Sequence, residues 1–179
     1  MTQSITLSRR HLLLACAALL LTPRIAHAGL NQLEDFSIWV PSNWATQTDE
    51  NLFKAHSANE VINLRAQVME MPAKTTLLTA PLKNVIDDEL DDYDIVSDRV
   101  YSDGQEPVRR IEGRGKDEGD DVLFRVTAIA GARNRTVLLA MVYAETDAFV
   151  RPANVEIMSK ILASLQRTPG AVSGQASSR

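Results

Sequence analysis

The sequence predicts one α+β domain in which an antiparallel β-sheet is flanked by helices, an α/β/α sandwich. Three observations predict it. Beyond residue 28 the chain alternates apolar and polar residues in short runs, the two-residue period of strands. Only two stretches repeat apolar residues every three or four positions, as helices do. And Val137-Leu138-Leu139-Ala140-Met141-Val142-Tyr143 is apolar at every position, so it needs cover above and below and belongs at the centre of a sheet.

The elements follow in order from the N-terminus. Residues 1–28 read as a cleavable export signal. Arg9 and Arg10 precede an apolar run from Leu12 to Leu21, and Ala26-His27-Ala28 supplies a small-x-small cleavage triplet. Ten apolar residues are too few for a bilayer core, which takes about 20 on a helix. Ser8-Arg9-Arg10-His11-Leu12-Leu13 resembles a twin-arginine signal, although the same residues also serve the general secretion route. Leu13-Leu14-Ala15-Cys16 fits a lipobox only loosely. The expected product is a periplasmic or secreted domain with no stable membrane anchor, residues 29–166, followed by a disordered tail over 167–179.

Phe36-Ser37-Ile38-Trp39-Val40 alternates and ends at Pro41, a strand feeding a turn at Ser42-Asn43. Leu52–Ala55 and Val61–Met69 are the next strands. In the second of these Ile62, Leu64, Ala66 and Val68 face one way, and Asn63, Arg65 and Gln67 the other. A helix is expected over 80–92, with Thr79 as cap, Pro81 in the first turn and a buried stripe of Leu82, Val85, Ile86, Leu90 and Tyr93. Strands then follow at Ile95–Tyr101, Pro107–Glu112, Val122–Ile129 and Thr136–Tyr143. Gly119 is expected to supply a positive φ in the loop 116–121. A last helix runs from Pro152 to Leu165.

Composition excludes much chemistry. Of 19 basic and 23 acidic residues, three arginines and no acid lie in residues 1–28, so the domain carries 16 against 23, a net charge of −7. Such a domain is a poor match for nucleic acid or an anionic membrane. The only cysteine, Cys16, and two of three histidines leave with the signal, and His56 alone remains. That removes thiol nucleophiles, disulfides and multi-histidine zinc sites.

The remaining candidates are few. Asp87-Asp88-Glu89-Leu90-Asp91-Asp92-Tyr93-Asp94 holds six acids in eight positions. On a helix this is a solvated face, but near a helix C-terminus each acid is unfavourable by about 0.3–1 kcal/mol. Asp87, Asp88, Asp91 and Asp92 are therefore candidate ligands for a weakly held divalent cation such as calcium, or for a basic partner. No other cofactor is implied. Arg109, Arg110 and Arg114 either pair with the domain's own acids or receive an acidic ligand, and neighbours Arg109 and Arg110 must face opposite ways. Trp39 packs under a helical layer or lines a groove, and Trp44, in the turn, is a candidate exposed anchor for a partner.

Phe36-Ser37-Ile38-Trp39-Val40-Pro41-Ser42-Asn43-Trp44 resembles the opening strand and proline-x-x-tryptophan turn of the PsbP-like superfamily, including its DcrB and LpqN types. Tyr143, Asp147 and the closing Ile161-Leu162-Ala163-Ser164-Leu165 are similar too. The resemblance spans about residues 33–166. It implies a non-enzymatic binding or assembly module with no family active site to carry over. A carboxylate-dependent hydrolase and an inhibitor or immunity-type protein acting through an acidic surface are the alternatives the composition permits.

Overall fold

The alternating runs pair into two antiparallel sheets in the computed structural model, which describes residues 29–59, 61–71, 82–102, 107–131 and 136–168. Its strands are β1 (Gly29–Leu33), β2 (Phe36–Val40), β3 (Ala45–Asp49), β4 (Leu52–His56), β5 (Ile62–Glu70), β6 (Asp92–Tyr101), β7 (Val108–Asp117), β8 (Asp120–Ala130), β9 (Thr136–Glu145) and β10 (Gln166–Arg167). Among the described residues three helices accompany them: α1 (Leu82–Asp87), α2 (Thr146–Phe149) and α3 (Pro152–Ala163).

The main sheet has seven strands in the order β3-β4-β5-β9-β8-β7-β6. β9 is the middle strand, and Val137 to Ala144 are all buried, as an unbroken apolar run requires. Residues facing each other across the ladders sort the core into two halves. On one face Leu64, Ala66, Leu138, Ala140 and Val142 pack against Phe36, Ile38 and Val40 of the small sheet β1-β2-β10 and against Met158, Ile161 and Leu162 of α3. On the other, Leu139, Met141, Phe124 and Val126 meet Leu82, Val85, Ile86 and Leu90 from α1 and the turn after it. One covering layer is thus mixed, a helix beside a small sheet, where helices alone were expected.

Several elements differ from the expectation. The helix predicted over 80–92 is α1 alone, within 82–92; Thr79, Ala80 and Pro81 lie outside the described residues. The backbone amide of Asp91 donates to the carbonyl oxygen of Lys116 at 2.9 Å, and Asp92 begins a strand. Tyr93 continues the helical spacing of Leu90 only by coincidence. β7 and β8 run much further than predicted and join through Glu118 (φ 53°) and Gly119 (φ 98°). Two positive φ values in a two-residue loop match the twist of the flanking strands. Arg167, assigned to a tail, pairs with Phe36 in β10; residues 169–179 lie outside the described residues.

Candidate functional site

The outer strands β6, β7 and β8 extend past the layer that covers the centre of the sheet. On the face shared with α3 the side chains of Glu112, Arg114, Lys116, Leu123 and Arg125 are half-buried or exposed, and α2 forms one wall through Thr146 and Phe149. Two adjoining hollows result. One of about 570 Å³ is lined by Asp92, Asp94, Arg114, Lys116, Leu123 and Thr146. The other, about 200 Å³, is lined by Val96, Glu112, Leu123, Arg125 and Phe149. Leu123 is common to both, so they form one groove whose rim is β6.

β6 is the edge of the sheet. It shows apolar side chains to solvent on both faces: Ile95 is 43% exposed, Val96 71%, Val100 38% and Tyr101 45%. A register shift between Ile95 and Ser97 marks a bulge there, which turns Val96 toward the groove. The groove floor is tiled with ion pairs. Arg114 Nη2 lies 3.0 Å from Asp94 Oδ2, Lys116 Nζ 2.9 Å from Asp121 Oδ1, and Arg125 Nε 2.6 Å from Glu112 Oε1. On the opposite face Arg109 forks onto Asp98 through Nε (2.8 Å) and Nη2 (2.6 Å). That fork holds the Asp98 carboxyl below its usual range. Arg109 and Arg110 do point to opposite faces, and Arg110 instead lies over the Tyr101 ring, 5.6 Å from its centre.

Of the predicted acidic cluster, Asp88 is drawn to Arg65, while Asp87, Asp91 and Asp92 share one shallow hollow. Asp87, at the end of α1, accepts a hydrogen bond from Tyr93 Oη at 2.9 Å; burial first, and then this bond and the charge of Asp87, push the phenol up to about 12. Asp88 pairs with Arg65 at 2.8 Å, and Asp92 stands opposite Lys116 in the ladder. Asp87, Asp91 and Asp92 do line a shallow hollow of about 500 Å³, together with Lys83. Among the described residues no three histidine, cysteine, aspartate or glutamate side chains converge as a metal site.

Sequence reasoning missed the buried member of that run, Glu89. Its Oε1 accepts from Arg65 Nη1 at 2.6 Å and Lys54 Nζ at 2.8 Å, and its Oε2 accepts from Tyr143 Oη at 3.0 Å. Burial raises the carboxyl, but the hydrogen bonds and charges of Lys54 and Arg65 outweigh it and hold it below 4.5. Arg65 on the polar side of β5 was the available signal: a strand in the middle of a sheet cannot carry an unpaired guanidinium. The group clamps the turn after α1 to β4, β5 and β9.

Both tryptophans are located in the wall of the core. Trp44 is 7% exposed and packs in the core cluster beneath the small sheet, so it is not the exposed anchor its turn position predicted. The turn itself forms, with the Trp44 amide donating to the Pro41 carbonyl oxygen at 3.2 Å; it folds the indole inward because apolar area favours the core. Trp39 is half-buried against the same cluster, and its amide donates to Ser164 Oγ at 2.8 Å, tying β2 to the end of α3. His56 sits half-buried on β4, with Nδ1 3.4 Å from the carbonyl oxygen of its neighbour Ser57. Among the described residues no helix is long and apolar enough to cross a membrane.

No family model matches the chain, and no curated protein matches it. Solved structures do. The solution structure of cyanobacterial PsbP (CyanoP) from Synechocystis sp. PCC 6803 superposes with a TM-score of 0.61 at 12% identity, covering 84% of this chain and 99% of that one. LpqN of Mycobacterium tuberculosis, involved in cell envelope biogenesis, gives 0.56 at 14% identity over 75% and 83% of the two chains. The Saccharomyces cerevisiae Ran-binding protein Mog1p gives 0.52 at 8% identity over 78% and 96%. With its central antiparallel sheet, its small second sheet and its closing helix, the chain has the PsbP-like fold.

Proposed function

We propose that the protein is an exported, non-enzymatic binding module that engages a protein partner of the cell envelope along β6. The observation that carries this reading is β6 itself. It is ten residues long, it ends the main sheet, and it shows apolar side chains on both faces. Long edges that expose apolar side chains are templates for pairing with another chain, and β6 exposes four although it also carries a bulge and charged residues of the kind that blunt edges. The other edge, β3, is short and polar (ATQTD). A strand added to β6 would cover Ile95 and Val100 on one side and Val96 and Tyr101 on the other, with main-chain hydrogen bonds supplying affinity.

The carboxylates support the same reading. Among the described residues Glu89 is the buried carboxylate, and it is held ionised between Lys54 and Arg65, so it has no proton to give. Export rests on the signal features of residues 1–28. That one solved chain of this fold is a Ran-binding protein, and another serves cell envelope biogenesis, agrees with a protein-binding role.

Photo-cross-linking in cells tests it. A photoreactive residue at Val96 is expected to capture one partner repeatedly, and the same residue at Thr48 on β3 to capture none. Capture from Thr48 alone would place the interface elsewhere.

A further inference from the structure

Two guanidiniums stand opposite each other at the far end of this edge. Arg99 of β6 and Arg110 of β7 are register partners, so their side chains leave the same face of the sheet a strand spacing apart. Like charges placed directly opposite are destabilising. On the rest of the same face each cation has its carboxylate: Arg114 has Asp94, Lys116 has Asp121 and Arg125 has Glu112. Neither Arg99 nor Arg110 has one among the described residues. In a chain with more acids than bases, an uncompensated pair is the exception.

The row continues into the sheet. Thr127 of β8 is the register partner of Arg110 and is 2% exposed. Among the described residues Thr127 Oγ1 and Arg110 Nε, both buried, have no hydrogen-bond partner. Both atoms are closed to solvent, so a ligand at this edge meets the exposed Arg99 and the half-buried Arg110 and not Thr127. The contact of Arg110 with the Tyr101 ring limits the freedom of its guanidinium. Arg99 and Arg110 therefore offer a pair of positive charges, flanked by the exposed apolar side chains of Val96 and Tyr101.

We infer that this arginine pair recognises a carboxylate on the partner strand that docks on β6, so that the partner segment is extended and carries an acidic residue between apolar ones at two-residue spacing. The inference rests on strand addition at β6 and adds the chemistry of the partner. A residue opposite Arg99 on an added strand would lie about 5 Å away on the same face, within reach of both guanidiniums. Its neighbours two positions on would fall beside Tyr101 and toward Val96, which accounts for apolar residues there. A membrane headgroup is the less suitable anion, because the domain as a whole is acidic and repels an anionic surface.

Short synthetic peptides test this on the exported chain. The peptide Thr-Val-Thr-Glu-Thr-Val-Thr is expected to bind about tenfold more tightly than its Lys counterpart, since a charge-assisted contact is at stake. Its chemical-shift changes should centre on β6 and β7. Arg99→Glu, an exposed position, and Arg110→Gln should each abolish that preference. Arg99→Gln without ligand should raise the melting temperature by roughly 1–3 °C, because it relieves repulsion. Equal binding of the two peptides, or saturation by inorganic phosphate with no peptide preference, would overturn the inference. If the Val96 cross-link persists unchanged in Arg99→Glu, strand addition stands and carboxylate recognition falls; if the cross-link is absent in the unaltered protein, the binding-edge reading itself fails.

Discussion

Arg65 Nη1 lies 2.6 Å from Glu89 Oε1, and both side chains are almost wholly withdrawn from solvent. The pair joins the middle of β5 to the turn that follows α1, across 24 residues of sequence. Breaking such a pair on one side costs far more than the pair itself contributes, because the charge left behind is buried. Glu89→Gln is therefore expected to lower unfolding free energy by about 3 kcal/mol. Lys54→Met should cost much less, since the Lys54 side chain is 45% exposed. Urea unfolding of the two variants checks the ranking.

The same carboxyl sets a pH dependence. Burial raises it, and Lys54 and Arg65 more than reverse that, so the folded chain binds this proton less tightly than the unfolded chain does. Its contribution is then complete above about 4.5 and is lost as pH falls through the lower folded value. Denaturant midpoints measured between about pH 6 and pH 3 should fall steeply in the unaltered protein. In Glu89→Gln the fall should be shallower.

Two glycines should fail for opposite reasons. At Gly113 a Cβ would stand 2.5 Å from the Asp94 carbonyl oxygen and closer still to the Phe124 ring, which covers the glycine from the neighbouring strand. Gly113→Ala is expected to cost about 2 kcal/mol through overpacking. At Gly119 a Cβ meets nothing within 4 Å, but φ is +98°. Gly119→Ala should cost about 1 kcal/mol by backbone strain alone. Glycine-to-alanine melting curves separate the two.

Trp44 should behave as a core residue. Trp44→Ala is expected to cost about 3–5 kcal/mol, while Trp44→Phe, which keeps most of the apolar volume, should leave the cross-link from Val96 intact. Loss of that cross-link in a folded Trp44→Phe protein would return the indole to the interface.

The acidic run makes a separate prediction. Asp87 is engaged by Tyr93, Asp88 by Arg65, and Lys83 shares the hollow of Asp87, Asp91 and Asp92. The melting temperature is expected to be the same in chelator and in millimolar calcium. A rise with calcium would restore the cation-binding reading of these four aspartates. Tyr93, titrated by ultraviolet absorbance, should ionise at about 12, and Asp87→Asn should bring it down.

How far the sequence reveals all this depends on how local each cause is. The faces of β5 and the central place of β9 follow from side-chain alternation, and both agree with the structure. The segment 88–94 does not. Leu90 and Tyr93 extend the helical spacing of Leu82, Val85 and Ile86, but pairing with the remote strand β7 decides their conformation. Trp44 illustrates a different gap: a turn position gives the backbone's path and says nothing of which way an indole folds. The opposition of Arg99 and Arg110 is the least legible feature. It depends on the bulge near Val96, which shifts register by one residue, and on a pairing that places β6 beside β7 along its whole length.

The central claim is that β6 receives a partner strand. Amide hydrogen exchange on the protein alone and on the cross-linkable complex recovered from cells tests it most directly. Protection gained over Asp92–Tyr101 with Ala45–Asp49 unchanged is the predicted result. Unchanged exchange in β6, with protection appearing in β3 or in the small sheet, would contradict it.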